Sequence, residues 1–161
     1  MTPKIRPCLW FNKNGEEAAR FYAETFPNSR IDAIERAPGD YPSGKKGDVL
    51  VITMTIFGMP FMLLNGGPEF TFDEAISFQV YCDNQAEVDH FWSKLSAGGE
   101  EGPCGWLKDK YGLSWQVVPV PLLEMMLDRD ASKSARVMGA FMQMKKFDIE
   151  TLKRAYEGET V

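Results

Sequence analysis

The side chains best equipped for chemistry are few: three cysteines (Cys8, Cys82 and Cys104), a single histidine (His90) and the adjacent pair Lys108-Asp109. An odd number of widely spaced cysteines without a C-x-x-C pair fits free thiols in a reducing compartment, not a disulfide framework or a zinc site. Cys104 precedes Gly105-Trp106, so its thiol is a weak candidate nucleophile beside an aromatic stacking platform. The plainer alternative for both is packing. Lys108 and Asp109 could orient an anion or polarise a substrate, with turn charges in water as the alternative. His90 reads as a solvent-facing helical residue, and a lone histidine cannot complete a Ser-His-Asp or Cys-His arrangement without distant help. The sequence therefore offers no strong acid-base constellation, and attention moves to uncharged groups and the elements that carry them.

The 161 residues, 44% hydrophobic and 25% charged, suit one domain or two small repeated modules sharing a sheet. Lys plus Arg is 18 against 23 Asp plus Glu, a net charge of -5, and the longest basic clusters are Lys45-Lys46 and Lys145-Lys146. Counterion release along a phosphate backbone needs more clustered cations, so no nucleic-acid partner is expected. Apolar runs such as Val49 to Met54 are too short to span a bilayer, and the start of the chain lacks a basic region followed by an apolar stretch. The expectation is a cytoplasmic protein without a membrane partner.

Two stretches share one grammar. Ile5 to Phe11 reads as a strand, and in Asn14-Gly15-Glu16-Glu17 Asn14 is expected to cap a helix while Glu17 bonds back. Ala18, Phe21, Tyr22 and Phe26 then form an apolar stripe before Pro27. The pattern returns 70 residues later: Ile76 to Cys82, then Asn84-Gln85-Ala86-Glu87, then Val88, Phe91, Trp92 and Leu95, with Gly98-Gly99 as the stop. A fixed offset of this kind signals internal duplication. Strands are expected over Arg30 to Arg36, Val49 to Phe57 and Pro60 to Leu64 in the first half, with a polar loop from Pro38 to Asp48. In the second half they fall at Glu101 to Leu107 and Leu113 to Val118, around a Lys110-Tyr111-Gly112 turn. From Pro121 the spacing turns helical, and this tail carries five of the nine methionines, read as core or dimer interface, with a ligand lid as the alternative.

Two βαβββ modules in tandem resemble the vicinal oxygen chelate superfamily of glyoxalase I, extradiol dioxygenases and bleomycin-resistance proteins, and within it the PhnB-like group. The closer resemblance rests on Pro7-Cys8-Leu9-Trp10-Phe11, Glu17-Ala18-Ala19 with Phe21-Tyr22, Leu64-Asn65-Gly66-Gly67-Pro68 and Phe70-Thr71-Phe72. It continues through Ala75 to Val80, Cys104 to Asp109, Trp115 to Pro119 and Gln143-Met144-Lys145-Lys146. It implies an α+β fold: curved sheets around a cavity over 1–120, with module one at 1–67, module two at 75–120 and a helical extension over 121–161. It also implies a homodimer. The group is often labelled after a demethylubiquinone methyltransferase, yet the chain has no glycine-rich strand-to-helix loop for a nucleotide-like cofactor.

Metal-dependent members of that superfamily bind a divalent cation through four side chains, usually His and Glu, on the first and last strands of each module. The matching positions here are Pro7, Ser77, Gln116 and, in the least certain register, Leu63. None is His, Glu or Asp, so neither metal nor cofactor is expected. Strand alternation puts Phe11, Phe61, Asn65, Ser77, Gln79, Tyr81, Ser114 and Gln116 on the cavity face with those positions, and adds Trp106 at the mouth. Apolar walls with uncharged hydrogen-bonding groups suit metal-free binding of a small organic molecule, as in sequestration. Two alternatives stay open: an enzyme of lyase, isomerase or dioxygenase type using a displaced metal or Cys104, and an interaction module whose polar groups satisfy one another in a filled cavity.

Overall fold

Each half of the chain builds a strand, a helix and a run of three strands, as the duplication predicts. In the computed structural model, which describes residues 4–159, the first half comprises β1 (Cys8–Phe11), α1 (Gly15–Thr25), β2 (Arg30–Arg36), β3 (Val49–Ile56) and β4 (Met59–Asn65). The second comprises β5 (Phe78–Cys82), α2 (Gln85–Ser96), β6 (Glu100–Glu101), β7 (Trp106–Lys108) and β8 (Ser114–Pro119). Helices α3 (Val120–Met126), α4 (Ala131–Phe141) and α5 (Ile149–Glu157) follow. The fold is α+β, and the chain divides after Phe72 into two compact units.

The two four-stranded sheets have the same topology, β1-β4-β3-β2 and β5-β8-β7-β6, with one parallel pair each (β1 with β4, β5 with β8) and antiparallel pairs elsewhere. In the first unit α1 buries Ala18, Ala19 and Tyr22, and the buried side of the sheet carries Leu9, Phe11, Ile52, Met54, Phe61 and Leu63. In the second, α2 buries Val88, Phe91, Trp92 and Leu95, and the sheet buries Val80, Cys82, Leu107, Trp115 and Val117. Removing such side chains from water is the main stabilising contribution to each unit.

The helix starts differ. Asn84 behaves as expected: its Oδ1 accepts from Glu87 N–H at 3.0 Å, and Glu87 Oε2 accepts from Asp83 N–H at 2.9 Å. Asn14, against expectation, makes no side-chain cap bond. The Gly15 N–H instead donates to Asn65 Oδ1 at 2.9 Å, so the end of β4 caps α1. The cause lies in the turns. Three residues, Asn12, Lys13 and Asn14, separate β1 from α1, whereas two, Asp83 and Asn84, separate β5 from α2. Lys13 takes up the extra length at φ 67°. The two helices are thus 70 residues apart but the two first strands 71, and counting back from helix to strand slips by one residue in the first unit.

The single strand expected over Glu101 to Leu107 is instead a hairpin. Glu100 pairs with Lys108 and Glu101 with Leu107, and the turn holds Cys104 and Gly105 at φ 53° and 79°. Cys104 N–H and Gly105 N–H donate to the carbonyls of Met144 and Lys145, both at 2.8 Å, tying the hairpin to the tail. The tail packs around Leu122, Met125, Val137, Phe147 and Leu152. Gln85 of α2 joins it by donating to the Phe147 carbonyl at 3.0 Å and accepting from Ile149 N–H at 2.9 Å. Among the described residues no helix is long and apolar enough to cross a membrane.

Candidate functional site

The open side of the second sheet follows from its register. Gln79 pairs with Gln116 and Gln116 with Trp106, while Ser114 pairs with Lys108 and Lys108 with Glu100. Side chains directly opposite each other share a face, so these residues form two rows across the sheet, away from α2. Along the strands Ser77 and Tyr81 extend the same face. Six of the expected binding residues, Ser77, Gln79, Tyr81, Trp106, Ser114 and Gln116, come together there.

Four of them form one hydrogen-bonded chain. Tyr81 Oη donates to Gln79 Oε1 at 2.6 Å, Gln79 Nε2 to Gln116 Oε1 at 3.2 Å, and Gln116 Nε2 to Ser77 Oγ at 2.8 Å. The chain holds the amides in fixed orientation, yet Tyr81 stays 51% exposed, so it is a surface and not a sealed interior. Beside it, Trp106, Pro103, Lys108, Glu74 and Ser114 bound a hollow of about 370 Å³. Ser114 is 1% exposed, and its hydroxyl is buried with no hydrogen-bond partner among the described residues. An unpaired buried hydroxyl is costly, on the order of 1–3 kcal/mol.

Lys108 Nζ bonds Glu74 Oε1 at 2.6 Å. That hydrogen bond holds the Glu74 carboxyl below its ordinary value and the Lys108 ammonium above its own, with Glu100 and Asp73 adding their fields at Lys108. Asp109, expected in water, is 2% exposed and accepts from Tyr111 N–H, Leu113 N–H and Trp115 Nε1–H at 2.9, 3.1 and 2.9 Å. It anchors the β7–β8 turn and is closed to a ligand. Lys108, Glu74 and Glu100 are the charged groups of this face that alternation alone passed over: Glu74 precedes β5, and Glu100 lies outside the expected strand.

Three expected binding residues lie elsewhere. Phe11, Phe61 and Asn65 are each 3% exposed, on the side of the first sheet that faces α1. Asn65 is fully engaged there, accepting from Gly15 N–H and donating from Nδ2 to the Val49 carbonyl at 2.9 Å. The extra turn residue inverts the face assignment, so the open side of this sheet carries Cys8, Trp10, Val51, Thr53, Met62 and Leu64. Cys104 likewise points away from the hollow: its Sγ lies 3.7 Å from the Phe141 carbonyl oxygen and 3.9 Å from Met142 Sδ, among the tail side chains.

The corrected offset moves the first-unit positions that correspond to metal ligands from Pro7 and Leu63 to Arg6 and Met62. Neither that pair in the first unit nor Ser77 and Gln116 in the second offers a carboxylate or imidazole, so neither fits a divalent cation. Among the described residues no group of three or more His, Cys, Asp or Glu is placed to hold one.

Residues 3–118 match the family model described as 3-demethylubiquinone-9 3-methyltransferase. A search of curated proteins gives no match. Among solved structures, a Bacillus cereus PhnB protein, described as a 3-demethylubiquinone-9 3-methyltransferase, is 35% identical with a TM-score of 0.65, over 73% of this chain and 100% of its own. Protein PA1353 of Pseudomonas aeruginosa is 19% identical with a TM-score of 0.61, over 73% of this chain and 98% of its own. The fosfomycin resistance protein FosX of Listeria monocytogenes is 16% identical with a TM-score of 0.53, over 80% and 99%. The last two carry the fold alone. By family match and identity, the chain belongs to the PhnB-like, 3-demethylubiquinone-9 3-methyltransferase family.

Proposed function

We propose that the protein binds a small organic molecule, without a metal, in the hollow of the second unit. The observation that carries this is Ser114: a residue 1% exposed whose buried hydroxyl has no hydrogen-bond partner among the described residues, in the wall of a space of about 370 Å³. Natural proteins leave few buried polar atoms unpaired, and a ligand atom would complete this one. Trp106 and Pro103 supply an apolar wall, and the Tyr81–Gln79–Gln116–Ser77 chain supplies oriented uncharged groups on the same face. Cys104 makes a poor nucleophile for such a ligand because its thiol lies among Phe141 and Met142. Methyl transfer, after which the family is named, finds no support in the Asn12-Lys13-Asn14 and Asp83-Asn84 turns, which are not glycine-rich.

Native mass spectrometry on gently purified protein tests the reading. The expected spectrum contains a stoichiometric organic adduct that is lost in Ser114→Trp, a substitution that fills the hollow. A folded protein free of adducts, and unresponsive to a fragment library, would overturn it. The same reading takes the protein as a cytoplasmic homodimer. Three free thiols support the compartment, and the exposed Leu127, Met138 and Met142 of the tail support self-association. Sedimentation velocity is expected to give a single species of twice 18.2 kDa.

A further inference from the structure

The hollow is not electrically neutral. Its charged side chains are Glu74 and Glu100 against the single ammonium of Lys108, while the Glu101 carboxylate lies across the sheet, accepting from Trp92 Nε1–H of α2 at 2.9 Å. That ammonium is taken: Lys108 Nζ is 2.6 Å from Glu74 Oε1. Glu100 is exposed, makes no close ion pair among the described residues although its field reaches Lys108, and stands across the β6–β7 ladder from Lys108, which in turn pairs with Ser114. Glu100, Lys108 and Ser114 therefore form one row, with Lys108 held to Glu74, the Glu100 carboxylate at the exposed end and the unpaired Ser114 hydroxyl buried at the other.

We infer that the ligand of this hollow is an organic cation, an apolar or aromatic body bearing a protonated amine. This rests on the small-molecule reading above and adds its charge. An ammonium brings N–H donors for the Glu100 carboxylate, with the buried Ser114 hydroxyl at the inner end of the same row, an anion would meet the field of that carboxylate, and among the described residues a bare metal ion would find no convergent ligand set. The rest of the molecule lies along Trp106 and Pro103, the aromatic and apolar residues of the lining.

Three probes sharing one ring separate charge from shape: tryptamine, 3-methylindole and indole-3-acetate, each titrated into the full chain by calorimetry. The expected order is tryptamine tightest, 3-methylindole about tenfold weaker and indole-3-acetate weaker still, with the tryptamine advantage shrinking as salt rises. In Glu100→Gln tryptamine should fall to the level of 3-methylindole. Ser114→Ala should weaken tryptamine severalfold while leaving the thermal midpoint of the free protein unchanged or higher, because the lost hydroxyl has no partner in the fold. Equal or tighter binding of 3-methylindole or indole-3-acetate would overturn the cation and leave small-molecule binding standing. Failure of all three to bind would overturn the cation, and together with an adduct-free spectrum and a silent fragment library it would overturn both.

Discussion

Asn65 uses both ends of its amide inside the first unit: Oδ1 accepts from Gly15 N–H, and Nδ2 donates to the Val49 carbonyl. One side chain thus replaces the cap that Asn14 does not provide and ties β4 to the start of β3. Asn65→Ala is expected to destabilise the fold by about 2–3 kcal/mol, the cost of a lost cap plus a second unpaired buried group. Asn14→Ala should stay within about 0.5 kcal/mol in the same urea titration, as surface changes do. The cysteines differ in the same local way. Cys8 is exposed, whereas burial, reinforced by Glu87 and Asp83, pushes the buried Cys82 thiol up to about 12. A neutral maleimide reagent should therefore label Cys8 in the native protein and reach Cys82 only after unfolding, as peptide mass mapping would show. In the unfolded chain Cys82 loses its proton near 9.0, while in the fold it keeps it to about 12. Between those values the unfolded state binds fewer protons, so stability falls as pH rises. Cys82→Ala should flatten that decline relative to the parent.

At the scale of elements, the strands and helices were legible because their periodicities are strong and the duplication states them twice. Val88, Phe91, Trp92 and Leu95 can form only one helical stripe, and α2 buries all four. The face of each strand was legible only where the adjoining turn has the shorter length. In the second unit, with two turn residues, alternation put Gln79, Tyr81 and Gln116 on the open side. In the first, one added residue moved Phe11 and Asn65 into the core and brought Cys8 and Trp10 out. Period-2 structure gives no protection against a one-residue slip, since every side chain changes face. The hairpin at Glu100 was equally hidden, because Gly102-Pro103-Cys104-Gly105 interrupts what reads as one weak strand and β6 has only two residues. The β1–α1 turn can be tested directly. Lys13, exposed and at φ 67°, sits where a side chain is strained, so Lys13→Gly should raise stability by about 0.5–1 kcal/mol and Lys13→Val should lower it by at least as much, both read from chemical denaturation midpoints.

At the scale of the whole molecule, the duplicated scaffold and the side chains it carries are separate matters, since a fold does not fix a chemistry. The sheets, their parallel β1–β4 and β5–β8 pairs and the helix on each are the scaffold that the family match and the PhnB structure share. The positions that correspond to metal ligands have gone to Ser77 and Gln116 in the second unit and to Arg6 and Met62 in the first. A divalent cation surrenders part of its hydration shell on binding and needs charged or imidazole ligands to offset that loss. Here the Gln116 amide already donates to Ser77 Oγ and accepts from Gln79, so metal ligation would also break the chain that orients the open face. Dialysis against a chelator should therefore leave both the thermal midpoint and the tryptamine affinity unchanged, and elemental analysis of the untreated protein should find no stoichiometric divalent metal. A midpoint that falls on chelation and returns with one particular cation would mean that Gln79 and Gln116 give up their mutual bond to a metal, and the polar chain would then have to be redrawn as a ligand set.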